Sequence, residues 1–432
     1  MVETLTIQPA ASLQGEVTVP GDKSISHRAV MFGAVAQGTT RVTGFLPGAD
    51  CLSTIDCFRR MGVAIEREEE TVVTIHGRGW NGLTEPDSFL DVGNSGTTIR
   101  LMLGILAGSP FYSAVIGDES IARRPMDRVV EPLRRMGAQI EGRKGGSFTP
   151  LGVRGGNLSS IEHVSRVASA QVKSCLLLAG LRADGITRIQ EPYRSRDHTE
   201  RMLPAFGIEL QQSENEVSLS GDQQLSSPGE VRVPGDISSA AFLIAAALIV
   251  PNSHITIRNV GLNPTRTGIL DSFREMGGAI EIVETGEWSG EAVGDITVTS
   301  SALKGVEVKG DRIPRLIDEI PILAVVATQA NGRTVIRDAA ELKVKETNRI
   351  AVTAQEMRRL GAVVEETADG LVIEGRTPLK GSHCNSHGDH RIGMATAIAG
   401  LIADGGVTVG RAGAIDISFP GFEHTLHRLT NG

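Results

Sequence analysis

Six apolar runs in this chain each begin behind a polar or glycine-rich opening. The openings are Gly21-Asp22-Lys23-Ser24, Gly93-Asn94-Ser95-Gly96, Ser169-Ala170-Gln171, Gly235-Asp236-Ile237-Ser238, Ile317-Asp318-Glu319 and Gly388-Asp389-His390-Arg391, spaced 66 to 82 residues apart. Five of them carry residues suited to holding anions or moving protons. A helix start offers unpaired N–H groups and a partial positive charge, so Lys and Arg gathered there make an anion-binding surface without a metal. The regular spacing describes a repeat protein with one functional rim.

Differences between copies separate scaffold from function. Val17-Thr18-Val19-Pro20-Gly21-Asp22 returns as Val231-Arg232-Val233-Pro234-Gly235-Asp236 at an offset of 214 residues. The first copy continues Lys23-Ser24-Ile25-Ser26-His27-Arg28 and the second Ile237-Ser238-Ser239-Ala240-Ala241-Phe242. The fold therefore does not require the charges of Lys23 and Arg28. Ser24 and Arg28, spaced i and i+4, share a helix face and can reach one ligand group.

The elements that must position these residues follow one order in each repeat: strand, apolar helix, strand, amphipathic helix, two strands. Leu101–Leu106, Leu176–Leu181 and Ile322–Ala327 are apolar nearly all round, which predicts buried helices. The second helices end alike, at Met61-Gly62, Met136-Gly137, Phe206-Gly207, Met276-Gly277 and Leu360-Gly361, where glycine adopts a left-handed cap cheaply. Three units per half predict an α/β fold of two domains, each with parallel apolar helices inside a shell of sheets and outer helices. The two Val-Pro-Gly segments are the hinge candidates, so residues 21–234 form one domain and residues 1–20 plus 235–432 the other.

Bulk properties agree with a globular enzyme. The 432 residues are 40% hydrophobic, enough for two cores, and 51 glycines suit many tight turns. A net charge of −8 argues against nucleic-acid or membrane-surface partners. Met1–Leu5 resembles no secretory signal, and the longest apolar stretch, Ala240–Val250, is 11 residues, short of the roughly 20 that span a bilayer. Cys51, Cys57, Cys175 and Cys384 form no regular framework, which fits reduced thiols in the cytoplasm.

Several strings together resemble the 5-enolpyruvylshikimate-3-phosphate (EPSP) synthase family over essentially the whole chain. They are Gly21 to Arg28, Gly93-Asn94-Ser95-Gly96-Thr97-Thr98-Ile99-Arg100, Arg124-Pro125-Met126, Ser169-Ala170-Gln171-Val172-Lys173, Lys345-Glu346-Thr347-Asn348-Arg349 and Gly388 to Arg391. The resemblance implies an inside-out α/β barrel of two domains, each of three βαβαββ repeats, with the active site in the cleft between them. It implies transfer of the enolpyruvyl group of phosphoenolpyruvate to the 5-hydroxyl of shikimate 3-phosphate, with release of phosphate, on the route to aromatic amino acids. Ala170, where better-known bacterial members have Ser, and the nearby Lys173 look like the second class of the family.

The resemblance also implies roles. Both substrates carry a phosphate and a carboxylate, so about five negative charges must meet and be offset. Ser24 and Arg28 would hold the shikimate carboxylate, and Lys23 would lie between the substrates. Ser169, the Ala170 N–H and Arg196 would take the phosphate of shikimate 3-phosphate, with Gln171 between the substrates. Asn94, the Gly96 N–H and Arg124 would take the phosphate of phosphoenolpyruvate, and Arg349 and Arg391 its carboxylate. A bidentate guanidinium suits such targets. Arg349 lies four residues after Lys345, which places both on one helical face. Asp318 would be the base near the sugar hydroxyls and Glu346 the acid near the methylene, with Lys345 binding shikimate phosphate or hydroxyl; the alternative for Glu346 is a helix-start glutamate favoured by the dipole. The sequence leaves open how Lys23, Asp318, Lys345 and Glu346 divide the proton transfers. Family members are targets of glyphosate, which is expected to compete with phosphoenolpyruvate beside Gly96. Many relatives place a Lys where Ile417 stands here, so the sequence leaves open what makes that phosphate contact.

No cofactor or metal is expected, and the working form is expected to be a cytoplasmic monomer. His383, Cys384, His387, Asp389 and His390 could bind zinc, but their spacing is irregular and Asp389 reads better as a helix cap. The sister enzyme acting on UDP-N-acetylglucosamine usually has a reactive Cys in the loop corresponding to Tyr112–Arg123, which contains none. A non-catalytic anion-binding protein on this scaffold is the remaining alternative.

Overall fold

The computed structural model of the chain describes residues 3–430. Met1, Val2, Asn431 and Gly432, which the sequence reading includes in the second domain, lie outside the described residues. The chain divides into two compact units, one comprising Gly21–Val233 with Trp288–Glu291, the other Met1–Pro20, Pro234–Glu287 and Ala292–Gly432. Each has its own hydrophobic core. Pro234 groups with the second unit. The short Trp288–Glu291 segment groups with the first because its side chains do: the Arg232 guanidinium lies 3.4 Å from the Trp288 ring centre, and His198 Nδ1 is 2.6 Å from Glu291 Oε1.

Twelve helices matter for the site. In the first unit they are α1 (Lys23–Val35), α2 (Ala49–Arg60), α3 (Gly96–Ala107), α4 (Asp127–Arg135), α5 (Ala170–Gly180) and α6 (His198–Met202). In the second they are α7 (Ile237–Ile249), α8 (Gly268–Glu275), α9 (Ile320–Gln329), α10 (Arg349–Arg359), α11 (His390–Gly400) and α12 (Phe422–Thr430). The apolar helices α1, α3 and α5 are buried along most of their length, as are α7, α9 and α11. Burial of one Leu, Ile or Phe side chain contributes about 1.5–3 kcal/mol, so these helices dominate the two cores.

Sheets complete each repeat. Five are four-stranded, and in each one edge strand runs parallel to its neighbour while the other pairings are antiparallel, as in Glu230–Arg232, Gln37–Thr43, Val72–Arg78 and Ala64–Glu69. The parallel edge strands explain the two similar Val-Pro-Gly segments. Gln14–Thr18 leads into α1 yet pairs with His254–Gly261 of the second unit, while Glu230–Arg232 leads into α7 yet pairs with Gln37–Thr43 of the first. Of the two smaller sheets, one has three strands, with Thr4–Ile7 pairing antiparallel with Val407–Gly410, and the other pairs Leu158–Ser159 parallel with Ala183–Asp184. Gly62, Gly137, Gly207, Gly277 and Gly361 all have positive φ at the ends of the outer helices, as their recurrence in sequence predicts.

Within the first unit α3 and α5 run parallel. Arg100, in the second turn of α3, meets Gln171 at the start of α5, and further along a Cβ on Gly104 would fall 2.1 Å from the Cys175 carbonyl oxygen. That close backbone approach requires glycine and sets the first turns of the two helices side by side.

Candidate active site

In the first unit the start of α1 is fixed by Asp22, whose Oδ1 accepts the Ile25 N–H at 2.9 Å. Lys23 Nζ then lies 3.1 Å from Asp50 Oδ2, in the first turn of α2. Ser24 is half-buried in the same turn. Arg28, one turn on and 3% exposed, donates from Nε to Thr199 Oγ1 at 2.8 Å, from Nη2 to Ser174 Oγ at 2.8 Å and from Nη1 to the Ser24 carbonyl at 2.9 Å. All three partners are neutral. Burial pushes the guanidinium down to about 10, with Glu200 opposing the shift, and it stays cationic at neutral pH.

The second opening turns at Gly93, φ +55°, and Ser95 Oγ accepts the Thr98 N–H at 3.0 Å to start α3 at Gly96. A Cβ on Gly96 would lie 2.9 Å from Arg100 Nη1 and 3.0 Å from Arg124 Nη1, so two guanidinium tips flank bare backbone. Arg124 Nη2 donates to Asn94 Oδ1 at 2.9 Å and to Ser120 Oγ at 3.0 Å. Arg100 Nη1 donates to Gln171 Oε1 at 2.8 Å, and Gln171 Nε2 to Thr97 Oγ1 at 3.1 Å. Asn94, Gly96, Arg124 and Gln171 are thus brought together, and Arg100 joins them. Sequence reasoning quoted Arg100 in its motif but gave it no role; its signal is the i+4 spacing from Gly96 on the helix that opens the site.

Ser169 caps α5 through its Oγ, which accepts the Val172 N–H at 3.4 Å, as a Ser at a helix start commonly does. Ala170 is the first residue of α5, and Arg196 is half-buried in the loop before α6. A chain of hydroxyls ties the helix starts together. His27 Nδ1 and Thr54 Oγ1 are 2.7 Å apart, Thr54 and Thr98 hydroxyls 2.7 Å, and Ser174 and Thr199 hydroxyls 2.7 Å. Burial holds His27 well below the usual imidazole range, with Lys23 and Arg28 adding to the shift, so it stays neutral.

The second unit gathers carboxylates. Asp318 sits in the turn Ile317–Glu319 that leads into α9, and its Oδ1 is 3.2 Å from Lys345 Nζ and 2.9 Å from Arg349 Nη1. Arg349, 2% exposed, also donates from Nη2 to Glu346 Oε2 at 2.6 Å and from Nε to Asp389 Oδ2 at 2.7 Å. Burial alone would lower this guanidinium, but Asp389, Glu346 and Asp318 together raise it. Two expectations are corrected here. Lys345 and Glu346 precede the helix rather than lying on it, because Asn348 caps α10 at Arg349, its Oδ1 accepting the Ala351 N–H at 3.3 Å. The convergence of Lys345 and Arg349 on Asp318 comes from that turn and not from a shared helical face.

Arg391, in the first turn of α11, donates its backbone N–H to Asp389 Oδ1 at 2.9 Å, and its Nη1 lies 3.6 Å from Glu319 Oε1. Glu319 also accepts the Ser238 hydroxyl, and Arg266 Nη2 donates to Ser238 Oγ at 2.7 Å and Asp236 Oδ1 at 3.0 Å. Asp389 behaves as the cap predicted for it. The mixed His and Cys cluster is otherwise engaged: His387 Nε2 lies 2.9 Å from Glu356 Oε1 and Cys384 is buried. Among the described residues no group of three or more His, Cys, Asp or Glu is placed to hold a metal ion. Ile417 ends the turn Ala412–Ile417 and is half-buried.

Comparison with known proteins bears on this arrangement directly. The family model described as EPSP synthase (3-phosphoshikimate 1-carboxyvinyltransferase) matches residues 7–426. The chain belongs to the EPSP synthase family. It is 60% identical over 420 residues to the 3-phosphoshikimate 1-carboxyvinyltransferase of Bacillus subtilis strain 168, covering 97% of this chain and 98% of that protein. To the Brevibacillus brevis protein of the same name it is 58% identical over 426 residues, covering 99% and 100%. An EPSP synthase structure from Acinetobacter baumannii superposes with a TM-score of 0.88 at 43% identity, covering 99% of this chain and 98% of the other. An EPSP synthase fold thus carries both the cation-rich helix starts and the carboxylate-rich set.

Proposed function

We propose that the first unit holds the phosphates of both substrates while the second supplies the carboxylates that move protons. As an EPSP synthase the protein transfers the enolpyruvyl group of phosphoenolpyruvate to the 5-hydroxyl of shikimate 3-phosphate, forming 5-enolpyruvylshikimate 3-phosphate and phosphate. The observation that carries the site assignment is the pair of guanidinium tips, Arg100 and Arg124, flanking the bare backbone of Gly96 at the start of α3, with Arg28 donating to hydroxyls and a carbonyl of the same unit. A cation bonded to neutral dipoles keeps its charge available for an anion, whereas one paired to a carboxylate has it largely cancelled.

In this reading Lys23, Ser24, Arg28, Ser169, the Ala170 N–H, Gln171 and Arg196 bind shikimate 3-phosphate, joined by Asp318 and Lys345. Lys23, Asn94, the Gly96 N–H, Arg124 and Gln171 bind phosphoenolpyruvate, joined by Glu346, Arg349 and Arg391. The 5-hydroxyl oxygen attacks C2 of phosphoenolpyruvate as its proton passes to Asp318, and Glu346 protonates the methylene carbon. In the second step Glu346 takes a proton back from the methyl as the C–O bond to phosphate breaks. Substrate anions draw Arg349 and Arg391 partly away from Asp318, Glu346 and Glu319, which frees those carboxylates for proton transfer.

Transfer to UDP-N-acetylglucosamine through a reactive thiol is disfavoured. All four cysteines are free and buried; burial pushes Cys57 and Cys384 up to about 12 and pushes Cys175 up as well. We propose a cytoplasmic monomer as the working form. Among the described residues no helix is long and apolar enough to cross a membrane. The deciding assay is phosphate release from phosphoenolpyruvate. Release that depends on shikimate 3-phosphate is expected, and release with UDP-N-acetylglucosamine in its place would contradict the reading.

A further inference from the structure

We propose that Lys173 and Glu191 are positioning residues for the phosphate of shikimate 3-phosphate, one buried ion pair setting the groups that grip it. This rests on the reading of the first unit given above. Glu191 lies at the end of the strand Ile186–Gln190 and is 5% exposed. Its Oε1 accepts the backbone N–H of Ser169 at 2.8 Å, and its Oε2 accepts the N–H of Ser195 at 3.2 Å and the Ser195 hydroxyl at 2.8 Å. A single carboxylate therefore holds the residue that opens α5 and the residue immediately before Arg196. Those are the two places, 27 residues apart in sequence, from which the phosphate is gripped.

Lys173 completes the arrangement. It is the fourth residue of α5, 3% exposed, with Nζ 2.9 Å from Glu191 Oε2, 2.8 Å from Glu200 Oε1 and 3.4 Å from the Ser195 carbonyl. Burial opposes its charge, but Glu200 and Glu191 hold its proton more firmly than in water. Glu200 is in α6, next to Thr199, which accepts Arg28 Nε. The ammonium thus joins α5, the Arg196 loop and the turn of α6 that holds Arg28.

Packing alone would not call for this composition. An apolar residue at position 173 would suit a helix otherwise buried among Leu176, Leu177 and Leu178, and replacing a buried ion pair by apolar groups is often neutral or stabilising. What the ammonium adds is charge balance. Lys173 offsets part of the charge of Glu191 and Glu200, with which it pairs, and so weakens their repulsion of a phosphate held by Arg196. Removing Lys173 would both release the Arg196 loop and leave two buried carboxylates facing the anion's site.

Steady-state kinetics of the full-length protein, with both substrates varied and the melting temperature recorded, tests the proposal. Lys173→Met should raise KM for shikimate 3-phosphate about tenfold or more, the loss expected for a charged hydrogen-bonding group, while KM for phosphoenolpyruvate and kcat at saturation stay within about threefold. Lys173→Arg should restore KM for shikimate 3-phosphate to within about threefold of the parent, since a guanidinium can bridge two carboxylates. Parallel rises in both KM values, or an unchanged KM for shikimate 3-phosphate in a folded variant, would overturn the proposal. Should Lys173→Met fail to fold, Ser195→Ala removes only one bond to Glu191, and no change in KM for shikimate 3-phosphate there would also overturn it. Absence of shikimate-3-phosphate-dependent phosphate release from the unmodified protein would instead remove the underlying reading of the site.

Discussion

Both units place arginines near helix starts but surround them with different partners. In the first, Arg28, Arg100 and Arg124 donate to Thr, Ser, Gln and Asn side chains and to carbonyls. In the second, Arg349 is held by Asp318, Glu346 and Asp389, Arg266 by Asp236, and Arg391 lies beside Glu319. The same residue type therefore does two jobs. In the proposed reading the first group offers its charge to substrate anions, and the second orients the carboxylates that it holds. We propose that one repeat architecture serves as an anion cradle in one copy and an acid–base set in the other.

The largest effect should come from the acid–base side. Glu346→Gln should lower kcat by about 10²–10⁴-fold, the usual worth of a positioned proton donor. Phosphoenolpyruvate binding should hold or tighten, because Arg349 then has one carboxylate fewer; weaker binding would make Glu346 a scaffold residue. Lys23→Ala comes next, with an expected loss of about 10²–10³-fold in kcat. Its melting temperature should match the parent, since the equivalent position in the second unit is Ile237, and unfolding would refute the idea that this charge serves only the substrates.

Smaller effects should sort by unit and by phosphate. Arg124→Ala is expected to raise KM for phosphoenolpyruvate about 10–100-fold while that for shikimate 3-phosphate moves about threefold or less, as loss of a bidentate charged contact predicts. Equal changes in both would mean that the two phosphates are not held separately. Gly96→Ala should fold, because the atoms a new methyl meets at 2.9 and 3.0 Å are the flexible tips of Arg100 and Arg124. Pushing those tips aside should raise KM for phosphoenolpyruvate about three- to tenfold and weaken competition by glyphosate to a similar degree. Unchanged values would show that the tips do not face the substrate.

Much of the architecture was legible because it is local. Apolar runs behind Asp22, Ser95, Ser169, Asp236 and Asp389 announce capped, buried helices, and the five glycines that close the outer helices recur in register. The repeat also revealed which charges the fold could do without. Other features depend on contacts between residues far apart in the chain. Arg349 reads as an open cation in sequence, yet its partners Asp318 and Asp389 lie 31 and 40 residues away. Glu191 has no motif at all, and its importance appears only when Ser169 and Ser195 are seen on one carboxylate. The grouping of Trp288–Glu291 with the first unit was likewise invisible, since it rests on contacts of Trp288, Ser289, Gly290 and Glu291 with Arg232, Arg201 and His198.

The contrast between the units is tested most directly by calorimetric titration of shikimate 3-phosphate into Arg196→Ala and Glu346→Gln. The division of labour predicts binding weaker by about tenfold or more in Arg196→Ala and within about threefold of the parent in Glu346→Gln. Equal weakening in both, or loss of binding confined to Glu346→Gln, would contradict it.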